Sequence, residues 1–133
     1  MVESIDYKVW LKLADEELNY ALGDLEDENQ TFFAPTCFHF QQAAEKYLKA
    51  YILACGRTFR KIHNLVELVK VCAAEDPDFS NLLKEAAILN PFYTDTRYPV
   101  HWPIDFSRQD TEKAKESAET IARFVKEKIG SRV

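Results

Sequence analysis

Two short segments gather the side chains that can hold an anion or move a proton. The first is Phe38-His39-Phe40-Gln41-Gln42-Ala43-Ala44-Glu45-Lys46-Tyr47-Leu48-Lys49-Ala50. At about 100° per residue, a helix would bring His39, Gln42, Lys46 and Lys49 within about 80° of one another, opposite the apolar stripe. Imidazole, amide and two ammonium groups in one row suit a phosphate or a nucleobase. Ala43 and Ala50 flank the row and are expected to leave it open. A plainer reading is a solvated polar face, and a third is a polar interface with a second subunit.

The second segment is Phe92-Tyr93-Thr94-Asp95-Thr96-Arg97-Tyr98-Pro99-Val100-His101-Trp102. Arg97 can pair bidentately with a phosphate, Tyr93 and Tyr98 can stack on a base, and His101 can move a proton near neutral pH. Here too a plainer reading exists. The aromatics would plug the end of a core, and Arg97 would be tied to Asp95 or to backbone carbonyls.

Other chemistries are excluded by spacing. A carboxylate di-metal site in a helical bundle needs Glu three residues before His, so that both ligands point inward. The residues three before His39, His63 and His101 are Thr36, Arg60 and Tyr98. Cys37 and His39 diverge by about 200° on a helix and cannot share a metal. There is no glycine-rich phosphate loop and no nucleophile elbow. No metal and no cofactor are expected.

The elements that must position these segments read as helices. Tyr7, Trp10, Leu11, Ala14, Leu18, Ala21, Leu22 and Leu25 recur at three- and four-residue steps and predict a first helix from about Ser4 to Leu25. Pro35 suits the first turn of a second helix, which carries Cys37, Phe40, Ala44, Tyr47, Leu48, Tyr51 and Cys55 inward and stops at Gly56. Asn64 with Glu67 three residues on is a capping pattern for a third helix, ending before Asp76-Pro77. A fourth, from about Asp78, weakens at Asn90-Pro91. Pro91 to Phe106 reads as an ordered loop with one short helical turn around Phe92–Asp95. A last helix runs from Ser107 or Asp110 to Ile129, with Gly130 as its stop. The fold class is all-α: an antiparallel up-and-down four-helix bundle with a short additional helix, in a single domain over residues 1–133.

Composition agrees with that architecture. The 133 residues are 47% hydrophobic and 29% charged, which excludes a disordered chain, and only three Gly and five Pro argue against a turn-rich β-fold. No apolar run reaches a membrane span, the N-terminus lacks a signal-peptide pattern, and Cys37, Cys55 and Cys72 make no disulfide framework. A cytoplasmic location is expected, with no membrane partner. The net charge of −5 disfavours wrapping of nucleic acid by the whole surface, and no DNA is expected. Charge is nonetheless uneven. Residues 11–30 carry seven acids and one base, and residues 46–70 carry six bases and one acid. These read as solvated faces of opposite sign, as a basic surface for a phosphate-bearing ligand, or as complementary surfaces of an oligomer.

The string FHFQQAAEKYLKAYILACG, the following His63-Asn64-Leu65-Val66-Glu67-Leu68 and the later Thr96-Arg97-Tyr98-Pro99 resemble, in that order, the HEPN family of prokaryotic and eukaryotic nucleotide-binding helical domains. The resemblance covers nearly the whole chain. It implies a four-helix bundle that forms a homodimer and, in small stand-alone members, pairs with a minimal nucleotidyltransferase in a toxin–antitoxin-like system. Many relatives are metal-independent ribonucleases whose motif is Arg, a polar residue, a further four to six residues, and His. The nearest match is Arg97 and His101, with three residues between them and Tyr98-Pro99 after the arginine. That pattern is more like the branch carrying Arg-Tyr-Pro, which is thought of as nucleotide-binding or as the transferase's partner subunit.

Three readings follow. The first is a nucleotide-binding module and partner subunit, with His39, Gln42, Lys46, Lys49, Tyr93, Arg97 and Tyr98 as its binding residues. The second is a ribonuclease of RNA with Arg97 and His101 as its catalytic pair. The third is a bundle with a purely protein–protein role.

Overall fold

The computed structural model describes residues 6–30, 32–59, 61–93 and 106–132. Its helices are α1 (Tyr7–Glu26), α2 (Phe33–Ala54), α3 (Leu65–Glu75), α4 (Leu83–Leu89) and α5 (Arg108–Arg132). Short 3-10 turns at Pro77–Leu82 and Asn90–Phe92 bracket α4. No strand occurs among the described residues. The helices form an antiparallel up-and-down bundle in which α1, α2, α3 and α5 are the main members. α2 is the central helix and packs on α1, α5 and α3.

Local chemistry fixes the boundaries. Asp6 caps α1, its carboxylate accepting from the Lys8 N–H at 2.9 Å. α2 ends in a Schellman motif. Gly56 takes a positive φ of 75°, its N–H donates to the Leu53 carbonyl at 2.9 Å, and the Arg57 N–H reaches back to Ile52 at 3.2 Å. α3 opens at Asn64, whose side-chain oxygen accepts from the Glu67 N–H at 3.1 Å. A second side chain completes that turn: Asn90 Oδ1 accepts from the Leu65 N–H at 2.9 Å. At the head of α5 the Ser107 hydroxyl accepts from the Asp110 N–H while the Asp110 carboxylate accepts from the Ser107 N–H, both at 3.0 Å. Replacing Asn64 with alanine removes one cap and should cost about 1 kcal/mol in denaturant unfolding. An unchanged midpoint would mean that Asn90 carries that turn alone.

The core is the expected set of stripes. Ala14, Ala21, Phe40, Tyr47, Leu48, Tyr51, Leu65, Leu68, Phe79, Leu82, Ala118, Ile121 and Val125 are buried. Phe79 lies 4.2 Å, centroid to centroid, from Tyr51 and 5.0 Å from Phe124. The three cysteines are unpaired, as their spacing suggested.

Two expectations need correction. The segment from Asp78 to Leu89 is not one α-helix. Asp76 caps a 3-10 turn starting at Pro77, and α-geometry begins only at Leu83. Gly130 does not end the last helix, which continues through it to Arg132. A lone glycine costs a helix only about 1 kcal/mol against alanine, and the flanking residues carry it across.

Candidate functional site

The polar row of α2 does not face open solvent. Glu17 of α1 sits between two of its members, accepting from His39 Nδ1 and from Lys46 Nζ, each at 2.5 Å. Burial pushes the Glu17 carboxyl up, but the hydrogen bonds and charges of His39 and Lys46 outweigh it and hold the group below its ordinary 4.5. Ionised Glu17 therefore stabilises the fold above about pH 4.5, and that contribution is lost as the pH falls through the folded-state value. A Glu17→Gln variant should show a shallower fall of stability between about pH 5 and pH 3 in denaturant titrations. An unchanged slope would mean that the two cations do not hold this carboxylate.

Lys49 lies deeper. Its side chain and that of Glu45 are each 6% exposed and pair at 2.9 Å, one helical turn apart. The Lys49 ammonium lies 5.0 Å from the Phe59 ring centroid and 5.9 Å from that of Trp10. Ala43 and Ala50 are fully buried, so they line a helix interface rather than flank an open strip. Gln42 remains half-buried, its amide donating to Gln41 Oε1 at 2.7 Å.

The uneven charge along the sequence resolves in part within the chain. Glu17 holds His39 and Lys46, Glu75 holds Arg57 at 2.8 Å, and Asp15 of α1 takes both the Tyr47 hydroxyl and Lys126 of α5. Burial first, then the hydrogen bond and charge of Asp15, push the Tyr47 phenol up, so it stays protonated.

Tyr93 is the described end of the second segment. Arg97, Tyr98 and His101, and the rest of 94–105, lie outside the described residues. Tyr93 is 39% exposed and stacks on His63, with centroids 4.8 Å apart and rings 11° from parallel. Its other neighbour is Phe38 of α2 at 6.5 Å, and Phe38 in turn meets His39 at 5.8 Å. His39 meets the exposed Tyr20 at 4.8 Å. Tyr93, from the second segment, thus meets Phe38 of the first near the start of α2. The bundle also holds what joins 94–105 on both sides. Phe92 and Phe106 meet edge to face at 4.9 Å. Arg108 donates to the Leu25 and Asp27 carbonyls at the end of α1, at 2.9 and 3.3 Å.

Sequence reasoning missed Glu17, Glu45 and His63 as members of this region. Glu45 and Lys49 stand four residues apart, the spacing of a helical ion pair, and that signal was available. Glu17 and His63 come from other elements, and nothing in local spacing announces their arrival. Among the described residues no group of three or more His, Cys, Asp or Glu side chains gathers to hold a metal. No helix among them is long and apolar enough to cross a membrane.

An all-helical bundle with an imidazole- and aromatic-rich end defines the class. The chain belongs to the HEPN domain family, whose model matches residues 7–128. It is 25% identical over 140 residues to "Putative toxin MJ1304" of Methanocaldococcus jannaschii, covering 92% of this chain and 90% of that protein. Its fold is similar to that of TT1696 from Thermus thermophilus, with TM-score 0.75, 31% identity, and 93% and 99% of the two chains covered. It is also similar to ST0689, an archaeal HEPN homologue, with TM-score 0.74, 25% identity, and 94% and 98% coverage.

Proposed function

We propose that this chain is a nucleotide-binding subunit of a toxin–antitoxin-type pair. It acts in the cytoplasm as one domain over residues 1–133, as a homodimer or beside a minimal nucleotidyltransferase. The observation that supports this reading is the contact of Tyr93, from the second candidate segment, with Phe38 of the first. There Phe38 lies 6.5 Å from the exposed ring of Tyr93 and 5.8 Å from His39, Gln42 follows one turn further along the same helix, and Arg97 and Tyr98 follow Tyr93 four and five residues later in the chain. A base stacks on an exposed aromatic ring, and the cations and amides beside it meet the phosphate. Of the binding residues named from sequence, Lys49 serves from behind, through Glu45, rather than by contact.

Calorimetric titration with AMP and ATP tests the reading. Wild-type protein should bind one of them, and Tyr93→Ala should weaken that binding about tenfold, the usual worth of one base–aromatic stack. No heat with either nucleotide would sink it. Co-expression with a minimal nucleotidyltransferase tests the partner.

A second reading is a metal-independent ribonuclease acting as a toxin, the class in which the Methanocaldococcus relative is named, and it rests on Arg97 and His101. Arg97 would then steady the scissile phosphate and His101 would move the proton. RNA cleavage in EDTA that is lost in both Arg97→Ala and His101→Ala would establish it.

A further inference from the structure

We infer that His63 is the imidazole that meets the ligand's phosphate, and that Glu45 is the positioning residue that aims it. The inference rests on the nucleotide reading above. His63 is held at three points. Its Nδ1–H donates to the buried Glu45 carboxylate at 3.1 Å. Its carbonyl accepts from Gln41 Nε2 at 3.3 Å. Its ring lies flat against Tyr93. Yet the side chain is 45% exposed. An imidazole that only filled the core would be buried, and one that only met solvent would not be fixed from α2 and from the turn after α4 at once. The hydrogen bond to Glu45 occupies Nδ1, which leaves Nε2 to meet a ligand. Lys49 neutralises Glu45 at 2.9 Å, on the same carboxylate oxygen that His63 meets, so the carboxylate can orient the ring without bringing a net negative charge to the site.

The ligand class follows from the groups present. An imidazolium Nε2–H beside an exposed tyrosine ring fits a base carrying an adjacent phosphate, the base on the ring and a phosphate oxygen on the nitrogen. Among the described residues, the titratable and charged groups recorded against the imidazole are Glu45, paired with Lys49, from α2, and the Tyr93 phenol from the turn after α4. α3 begins with Asn64 and Leu65, which do not titrate. Phosphate affinity should therefore be greater where the imidazole is protonated than where it is neutral.

The test compares adenosine with 2′-O-methylated ApA, an uncleavable dinucleotide whose single phosphate charge is constant near neutral pH. Titrations run at about pH 5.5 and about pH 8.5. Wild type should prefer the dinucleotide at the lower pH and lose most of that preference at the higher one. His63→Gln should weaken dinucleotide binding about tenfold at the lower pH, leave adenosine binding unchanged, and flatten the pH profile. Glu45→Gln strands Lys49 in the core, so the positioning role is read in the double variant Glu45→Gln with Lys49→Met. That variant should show the same flattening with His63 still present. A phosphate preference and pH slope that persist in His63→Gln, while Tyr93→Ala still weakens binding about tenfold, would overturn this inference and leave the nucleotide reading standing. Wild-type protein that binds neither compound would overturn both.

Discussion

Glu45→Ala should lower stability by about 3–5 kcal/mol, because it strands the Lys49 ammonium in the core without its partner. Glu45 and Lys49 are each 5% exposed, and Trp10 and Phe59 lie over the ammonium. Water cannot replace the carboxylate there, so the cost is the desolvation of a lone charge rather than the loss of one hydrogen bond. The melting temperature should fall by about 10 °C or more. Adding Lys49→Met should recover most of the loss, since an apolar chain of similar length fills the same space without a charge. A double-mutant cycle reads the coupling directly. A single variant that costs less than about 1 kcal/mol would show that the pair behaves as a surface ion pair.

Phe79→Ala should be of similar severity, about 3–5 kcal/mol, for a different reason. Phe79 is fully buried and touches rings from two helices, Tyr51 of α2 and Phe124 of α5. Removing it leaves a cavity between elements that the short 3-10 turn Pro77–Leu82 cannot close. Phe79→Leu keeps most of the volume and should cost about 1.5 kcal/mol or less in the same urea titration. Tyr51 lies thirteen residues along α2 from Phe38, about 20 Å at the rise of an α-helix. Ligand affinity of the folded Phe79→Ala protein should therefore match wild type. A loss below about 1 kcal/mol would mean that the 3-10 turn does not seal the core.

Helices were the legible part. The periodic apolar residues of α1, α2, α3 and α5 are buried in the bundle or, as with Trp10, Leu11, Leu18 and Leu22, partly buried against its core, and Asn64 and Gly56 act as the punctuation they resemble. Local chemistry determines these features, so local spacing reveals them. The site was legible only in its membership. Angular arithmetic puts His39 and Lys46 on one face, where Glu17 bridges them, but it cannot say what the face meets. α2 is covered on several sides, so a row that looks solvated in isolation is crossed by Glu17 and partly sunk beneath Trp10 and Phe59. His63 escaped notice because its partner Glu45 lies eighteen residues away, across the connection between α2 and α3. Long-range convergence of this kind depends on how the helices are stacked, which no window of residues contains.

The contact of Phe92 with Phe106, and the grip of Arg108 on the end of α1, carry a consequence for how such proteins diversify. Phe92 and Phe106 flank residues 94–105, and the bundle itself holds both. Once the ends of a connection are held, its length matters little to folding: each doubling adds only about 0.6 kcal/mol of closure entropy. Insertions, deletions and wholesale rewriting between those two points are therefore cheap for the scaffold. A designer can graft a new sequence between those two held points at little cost in closure entropy, while the helices that carry the stability stay untouched.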